Sequence, residues 1–309
     1  MSMEVAIMIE GQDGLTWPRW QRLATAVEDL GFAGLYRSDH YTNMNPPDKA
    51  SLELWVSLAW LASHTERIAF GPLVSPVSFR HPTMTVRMAT AVDDLSGGRL
   101  KLGLGAGWQE REHTNYGWDL LEIPERFDRF EEGLEVIERL LHSADPVTYH
   151  GEYYSLNEAM LLPRPERAGG PPILIGGNGP QRTLPLVARY ASEWNGVFVT
   201  PEAYAELNER LDQLLLARGR DTAEVRRSLM TGCVFGHDAA ALQVKLARRD
   251  ATVEVLNARG LVAGGTDAVV EQLGRFGEAG VQGIMLQWLD QYDLDGLEAL
   301  ATVVLPQVS

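Results

Sequence analysis

Cysteine is almost absent: Cys233 is the only one in 309 residues. No intrachain disulfide and no cysteine-based zinc site can be built from it. It stands in the apolar run LMTGCVFG, which reads as a buried structural thiol and not a nucleophile. Positive charge is also scarce, with Lys+Arg 27 against Asp+Glu 42 and a net charge of −15. General binders of nucleic acid or anionic membrane need clustered Lys and Arg, so neither partner is expected, although a small basic pocket remains allowed. No apolar run approaches the roughly 18 residues of a membrane helix. The start, MSMEVAIMIEGQ, lacks a basic segment and reads as a first strand, not a secretory signal. A soluble, cytoplasmic protein is the expectation.

Several chemical signatures are missing. There is no HExxH or His-x-His pair, and Glu110 with His113 would make only a weak two-ligand site, so no metal is expected. No GxSxG elbow and no Walker loop occurs. GLGAGW places Gly103, Gly105 and Gly107 at alternate positions, but Trp108 breaks the rest of the spacing that a dinucleotide fingerprint requires. Those small residues either leave room for a flat ring or relieve packing.

What is present is alternation. Short apolar runs (EVAIMIE, GLYR, RIAFGPLV, RLKLGLG, PPILIGG, EWNGVFV, RRSLMTGCVFG, VQGIMLQW) are separated by segments of helical periodicity. Eight βα units demand parallel strands with right-handed crossovers. The fold class expected is α/β, a (β/α)8 TIM barrel with insertions after strands 4 and 7, as one domain over residues 1–309. Residues Ala106 to Pro124 read as a long polar loop, and a loop of that size in a compact domain is usually functional. PVTYHGEYYSLNEAML reads as a small hairpin. Pro72 interrupts a strand that should be central, the mark of a bulge.

Active sites of such barrels lie at the carboxyl ends of the strands. That filter selects Asp39 and His40 after strand 2, Ser75 after strand 3, Gly105 to Glu112 after strand 4, and Trp194, Asn195, Gln287 and Trp288 later on. By itself SDH reads more readily as a polar turn than as a catalytic pair, although an unperturbed histidine pKa near 6.5 suits acid–base work. GGNGPQRT after strand 5 is the best anion signal. Gly176, Gly177 and Gly179 let the backbone approach a ligand, a helix N-terminus follows, and Gln181, Arg182 and Thr183 can add donors. A tight turn that merely needs glycine is the plainer alternative.

The segments EDLGFAGLYRSDHY, GPLVSPVSFRHP, DDLSGGRLKLGLGAGWQEREHTNYG, PPILIGGNGPQRT and ARYASEWN together resemble the bacterial-luciferase-like flavin oxidoreductase superfamily, within it the coenzyme F420-dependent class. The resemblance runs over nearly the whole chain. It implies an enzyme that moves a hydride between F420 and a small organic substrate, and a homodimer. Asp39 would bond the cofactor ring, His40 would serve the chemistry, and the peptide joining Leu73 and Val74 would be a non-prolyl cis bond backing the ring. Gly176, Gly177, Asn178 and Gly179 would cradle the phosphate, with Ser75, Gly105, Gly107, Trp108, Gln181 and Arg182 nearby. Where some members carry a catalytic Glu and an Asn, this chain has Trp108 and Arg111, which leaves Glu110 as the nearest acid. An FMN-dependent monooxygenase is the closest rival. A non-catalytic flavin-binding barrel and a flavin-free phosphate-recognising lyase or isomerase are the others. The aromatics Trp17, Trp20, Tyr41, Trp108, Tyr116, Trp118 and Trp288 are candidates for a substrate pocket, with Trp17 and Trp20 equally suited to helix packing.

Overall fold

Alternate residues of the first strand, EVAIMI, point to opposite faces, and both faces are apolar. Such a strand can only sit between two layers. The computed structural model describes residues 3–308. Its strands are β1 (Glu4–Ile9), β2 (Gly34–Arg37), β3 (Ala69–Pro72), β4 (Ser75–Pro76), β5 (Leu102–Gly105), β6 (Val147–His150), β7 (Ser155–Ala159), β8 (Ile173–Gly176), β9 (Glu193–Val197), β10 (Arg226–Phe235), β11 (Val262–Gly264) and β12 (Gly283–Gln287). The main sheet runs β3-β2-β1-β12-β10-β9-β8-β5-β4, with every pair parallel. β3 and β4 are one stave interrupted at Leu73–Val74. A parallel bridge from Phe70 to Leu100 joins that stave to the approach of β5 and closes the ring. The result is a (β/α)8 barrel.

Val5, Ile7 and Ile9 face outward into the large core under the helices, while Ala6 and Met8 join Tyr36, Leu73, Leu174, Met230 and Met285 in the barrel interior. The small residues of the third and fourth staves have a packing reason. A Cβ at Gly71 would meet the Lys101 carbonyl at 2.0 Å, and one at Gly103 would meet the Pro72 carbonyl at 2.0 Å. Glycine is what lets these backbones approach.

The Leu73–Val74 peptide is cis, as the resemblance implies, and it splits β3 from β4 next to Pro72. Two stretches depart from the expected elements. The Ala106–Pro124 stretch is not all loop: it contains a helix, Glu110–Tyr116, stopped by Gly117 in the left-handed region at φ 72°. Beyond β10, the helix Ala239–Ala247 is followed by a second, Val253–Ala258, and by β11, which pairs with the end of β10. The hairpin β6–β7 forms as read. Among the described residues no helix is long and apolar enough to cross a membrane.

Candidate active site

The barrel interior opens at the carboxyl ends of its strands into a cavity of about 420 Å³. Its wall takes Met8 and Glu10 from β1 and its following turn, Ser38 and His40 after β2, and Leu73, Val74 and Pro76 from the broken stave. Gly107, Trp108 and Glu112 come from the segment after β5, Gly176 and Gly177 from the end of β8, Asn195, Val197 and Phe198 from β9 and just beyond, and Met230 from β10. Most of this surface is apolar; the polar groups are few and fixed, as in a typical small-molecule site.

His40 is the best-held titratable group there. Its Nδ1 lies 2.8 Å from Glu112 Oε1, and the Glu112 Oε2 accepts the Tyr41 N–H at 2.9 Å. The Glu112 side chain is only 1 % exposed and His40 15 %. Both carboxylate oxygens are thus committed, so Glu112 fixes the tautomer in which Nδ1 carries hydrogen and Nε2 is the free ring nitrogen. Burial pulls the His40 pKa down, but the Glu112 hydrogen bond and charge, with Glu10 and Asp39, outweigh it and raise it above the ordinary histidine value. The Trp108 ring meets the imidazole edge-on at 5.4 Å. Trp108 is itself 53 % exposed at the cavity mouth.

The Asp39 carboxylate is buried beside the cavity and accepts from Arg80 Nη1 (2.5 Å), Arg80 Nη2 (3.3 Å) and Ser75 Oγ (2.7 Å). Ion pairing to a forked guanidinium takes both oxygens, so neither Asp39 nor Ser75 lines the cavity. Glu110 lies apart from the cavity wall. It is exposed on an outer depression with Glu122 and Arg126, while Glu112, two residues on, turns inward to His40. The expectation of a loop hid this, since only a helix assigns an inner face.

The glycine corner after β8 is split between cavity and scaffold. Gly176 and Gly177 line the cavity, and Gly177 sits at φ +125°, which a side chain would resist. The Asn178 amide is spent on structure: its Nδ2 donates to the Val197 carbonyl (2.7 Å) and its Oδ1 accepts the Val197 N–H (2.9 Å). The helix Thr183–Tyr190 that follows has no side-chain cap at its N-terminus. Gln181 and Arg182 face a separate depression beside Phe127 and Arg189, and Gly105 and Gly179 do not line the cavity. At Gly105 a Cβ would come 2.7 Å from Val74 Cγ2, and at Gly179 2.9 Å from Thr183 Oγ1, so both serve packing.

Two residues gain importance beyond their sequence signal. Ser38 accepts the Gly11 N–H (2.9 Å), donates to Gln12 Oε1 (2.8 Å) and lines the cavity. Asn195 is fully buried, donates to Ser228 Oγ (3.0 Å), and has an Oδ1 with no partner. Of the candidate aromatics, Trp20 is core, donating to the Ser57 carbonyl (3.0 Å), and Trp17 packs edge-on against Trp60. Tyr41, Tyr116 and Trp118 cluster together with Phe79 beside His113. Cys233 is buried, and that burial pushes its thiol up to about 12, which keeps it inert at neutral pH. Among the described residues no group of three His, Cys, Asp or Glu could hold a metal.

A closed parallel barrel whose carboxyl-end cavity has an apolar wall, a positioned histidine and a glycine corner has the form of a small-molecule site. The chain belongs to the luciferase-like monooxygenase family, whose family model matches residues 3–283. It is 34 % identical over 205 residues to an F420-dependent glucose-6-phosphate dehydrogenase of Microbacterium testaceum (strain StLB037), covering 64 % of this chain and 59 % of the relative. It is 32 % identical over 183 residues to a 4-hydroxyprotoasukamycin monooxygenase of Streptomyces nodosus subsp. asukaensis, covering 59 % and 48 %. The chain thus spans less than two thirds of the length of these relatives. A solved F420-dependent secondary alcohol dehydrogenase, in complex with an F420-acetone adduct, superposes with a TM-score of 0.86 over 100 % of both chains at 18 % identity, a likeness of fold.

Proposed function

We propose that the protein is an F420-dependent oxidoreductase that moves a hydride between the deazaflavin and a small organic substrate. The observation that carries it is the His40–Glu112 pair, which presents Nε2 at a cavity shared with the glycine corner. The F420-dependent relative supports the choice of cofactor.

The residues present fit such a group. The cavity is about 420 Å³ and mostly apolar. Gly177 at positive φ and the uncapped helix N-terminus after it suit a phosphate. Leu73, Val74 and Met8 would hold the ring, and the backbone of Gly176 and Gly177 the phosphate, with the Asn178 side chain bracing that loop from behind. When bound, the deazaflavin supplies two-electron hydride chemistry. His40 does the proton work at Nε2: protonated, it donates to the developing oxyanion of a substrate being reduced, and neutral, it accepts from one being oxidised. Glu112 holds the ring and favours the protonated form. Trp108, above His40, limits water at the mouth. Asp39 acts indirectly, anchoring the β2 loop through Arg80.

Titrating the purified chain with F420 and following cofactor fluorescence tests the reading. Saturable binding is expected, and no binding at micromolar cofactor would sink it. An FMN-dependent monooxygenase is the second reading, its oxygenase part supported by the relative named a 4-hydroxyprotoasukamycin monooxygenase; tighter binding of reduced FMN than of F420, with oxygen-dependent product, would establish it. A homodimer of a single barrel domain working in the cytoplasm completes the proposal, and light scattering checks its mass.

A further inference from the structure

We propose that a second cavity, between the end of β10 and the loop after β12, binds a small organic oxyanion, a carboxylate or phosphate ester with an apolar body. This cavity measures about 580 Å³, ample for a small metabolite. It does not depend on the redox reading.

Charge is the first argument. In a chain of net charge −15, this cavity gathers Arg19, Lys49, Lys245, Arg248 and Arg249 against Asp13, Asp290 and Asp293. Each carboxylate already has its cation: Lys49 with Asp13, Lys245 with Asp293 at 2.5 Å, Arg248 with Asp290 at 3.2 Å. Arg19 and Arg249 are left over, without a carboxylate partner among the described residues.

Burial is the second. Arg19 is only 9 % exposed. Its Nη1 donates to the Gly14 carbonyl at 2.5 Å, its guanidinium stacks on Tyr292 at 3.8 Å, and its Nε has no partner. The Asp13 charge reaches Arg19, but that carboxylate is held by Lys49; a largely buried guanidinium with no ion pair of its own is costly, and an anion in the adjoining space would relieve it. Two further buried polar atoms of this wall lack partners, the Trp288 Nε1 donor and the Gln291 Oε1 acceptor. Phe235, Trp288 and Tyr292 supply the apolar side. The Gln291 Nε2 donates to the Glu10 carbonyl at 2.7 Å, and Glu10 lines the catalytic cavity, so the two cavities share a wall.

Calorimetric titration of the full chain, without redox cofactor, with phenyl phosphate, benzoate and inorganic phosphate tests this. Saturable binding of the two aromatic anions is expected, tighter than that of inorganic phosphate. The R248A/R249A double variant, which changes exposed side chains, and R19Q should each weaken it about tenfold, with their melting temperatures reported alongside. His40→Ala should leave anion affinity unchanged. Absence of saturable heat from the aromatic anions, wild-type affinity in the folded double variant, or loss of binding in His40→Ala would overturn the proposal. Inorganic phosphate binding as tightly as both aromatic anions would overturn its organic part.

Discussion

A buried carboxylate with both oxygens committed holds His40 at the mouth of the barrel cavity. Because Glu112 Oε1 takes the Nδ1 hydrogen and Oε2 the Tyr41 N–H, rotation of either ring or carboxylate would break a bond in a poorly solvated place. His40→Ala should therefore lower kcat by about 10²- to 10⁴-fold while F420 affinity, read by fluorescence, stays near wild type. Unchanged turnover would mean a carrier barrel. Glu112→Gln removes the charge that raises the His40 pKa, so the titration of His40, followed by NMR, should move down in pH. In the reductive direction the alkaline fall of kcat should move down with it. The sign for stability follows from the same shift. A histidine raised in the fold adds stability that is whole below its unfolded pKa of about 6.5 and is lost as pH rises through the folded value. Denaturant midpoints of wild type should fall across that window, and those of Glu112→Gln should fall less. Asp39 has a different task. Arg80→Ala would leave a buried carboxylate without its partner and should cost about 3 kcal/mol, measured by chemical unfolding; a cost within error would place Asp39 in solvent.

At the scale of elements, the eight staves were readable because buried parallel strands are continuous apolar runs flanked by amphipathic helices. What was unreadable is instructive. EREHTNY forms a helix of seven residues with no apolar stripe, so its inward face, Glu112 and His113, has no hydrophobic signature. The break between β3 and β4 was signalled by Pro72, a residue without an N–H to pair, and by the family resemblance, which implied the cis Leu73–Val74 peptide. The alternation GLGAG admitted either a ring or packing, and for Gly103 the answer is packing, since the Pro72 carbonyl occupies the space a Cβ would need. Gly103→Ala should accordingly destabilise the barrel by about 2–3 kcal/mol, the range of an overpacked core, seen as a lower denaturant midpoint. Because the break between β3 and β4 lines the cavity through Leu73 and Val74, the same variant should weaken cofactor binding.

For the whole molecule, a net charge of −15 bears on any acidic cofactor tail. A tail left in solvent meets a repulsive field screened over roughly 8–10 Å at physiological salt. Affinity for F420 should then improve from low to physiological ionic strength, and more for longer tails; tighter binding at low salt would instead point to a local cationic channel. Composition and periodicity alone determined the closed α/β barrel, the lack of disulfide or cysteine-zinc chemistry, and the strand ends where a site must lie. These are one-dimensional properties: apolar runs, their spacing and the residues that follow them. Tertiary structure alone decided which acid meets His40. It also spent Asp39 on Arg80 and Asn178 on Val197, and left Arg19 with no ion pair among the described residues. Each of those outcomes is a contest between side chains distant in sequence for the same hydrogen bond or charge, and only their arrangement in space can settle it.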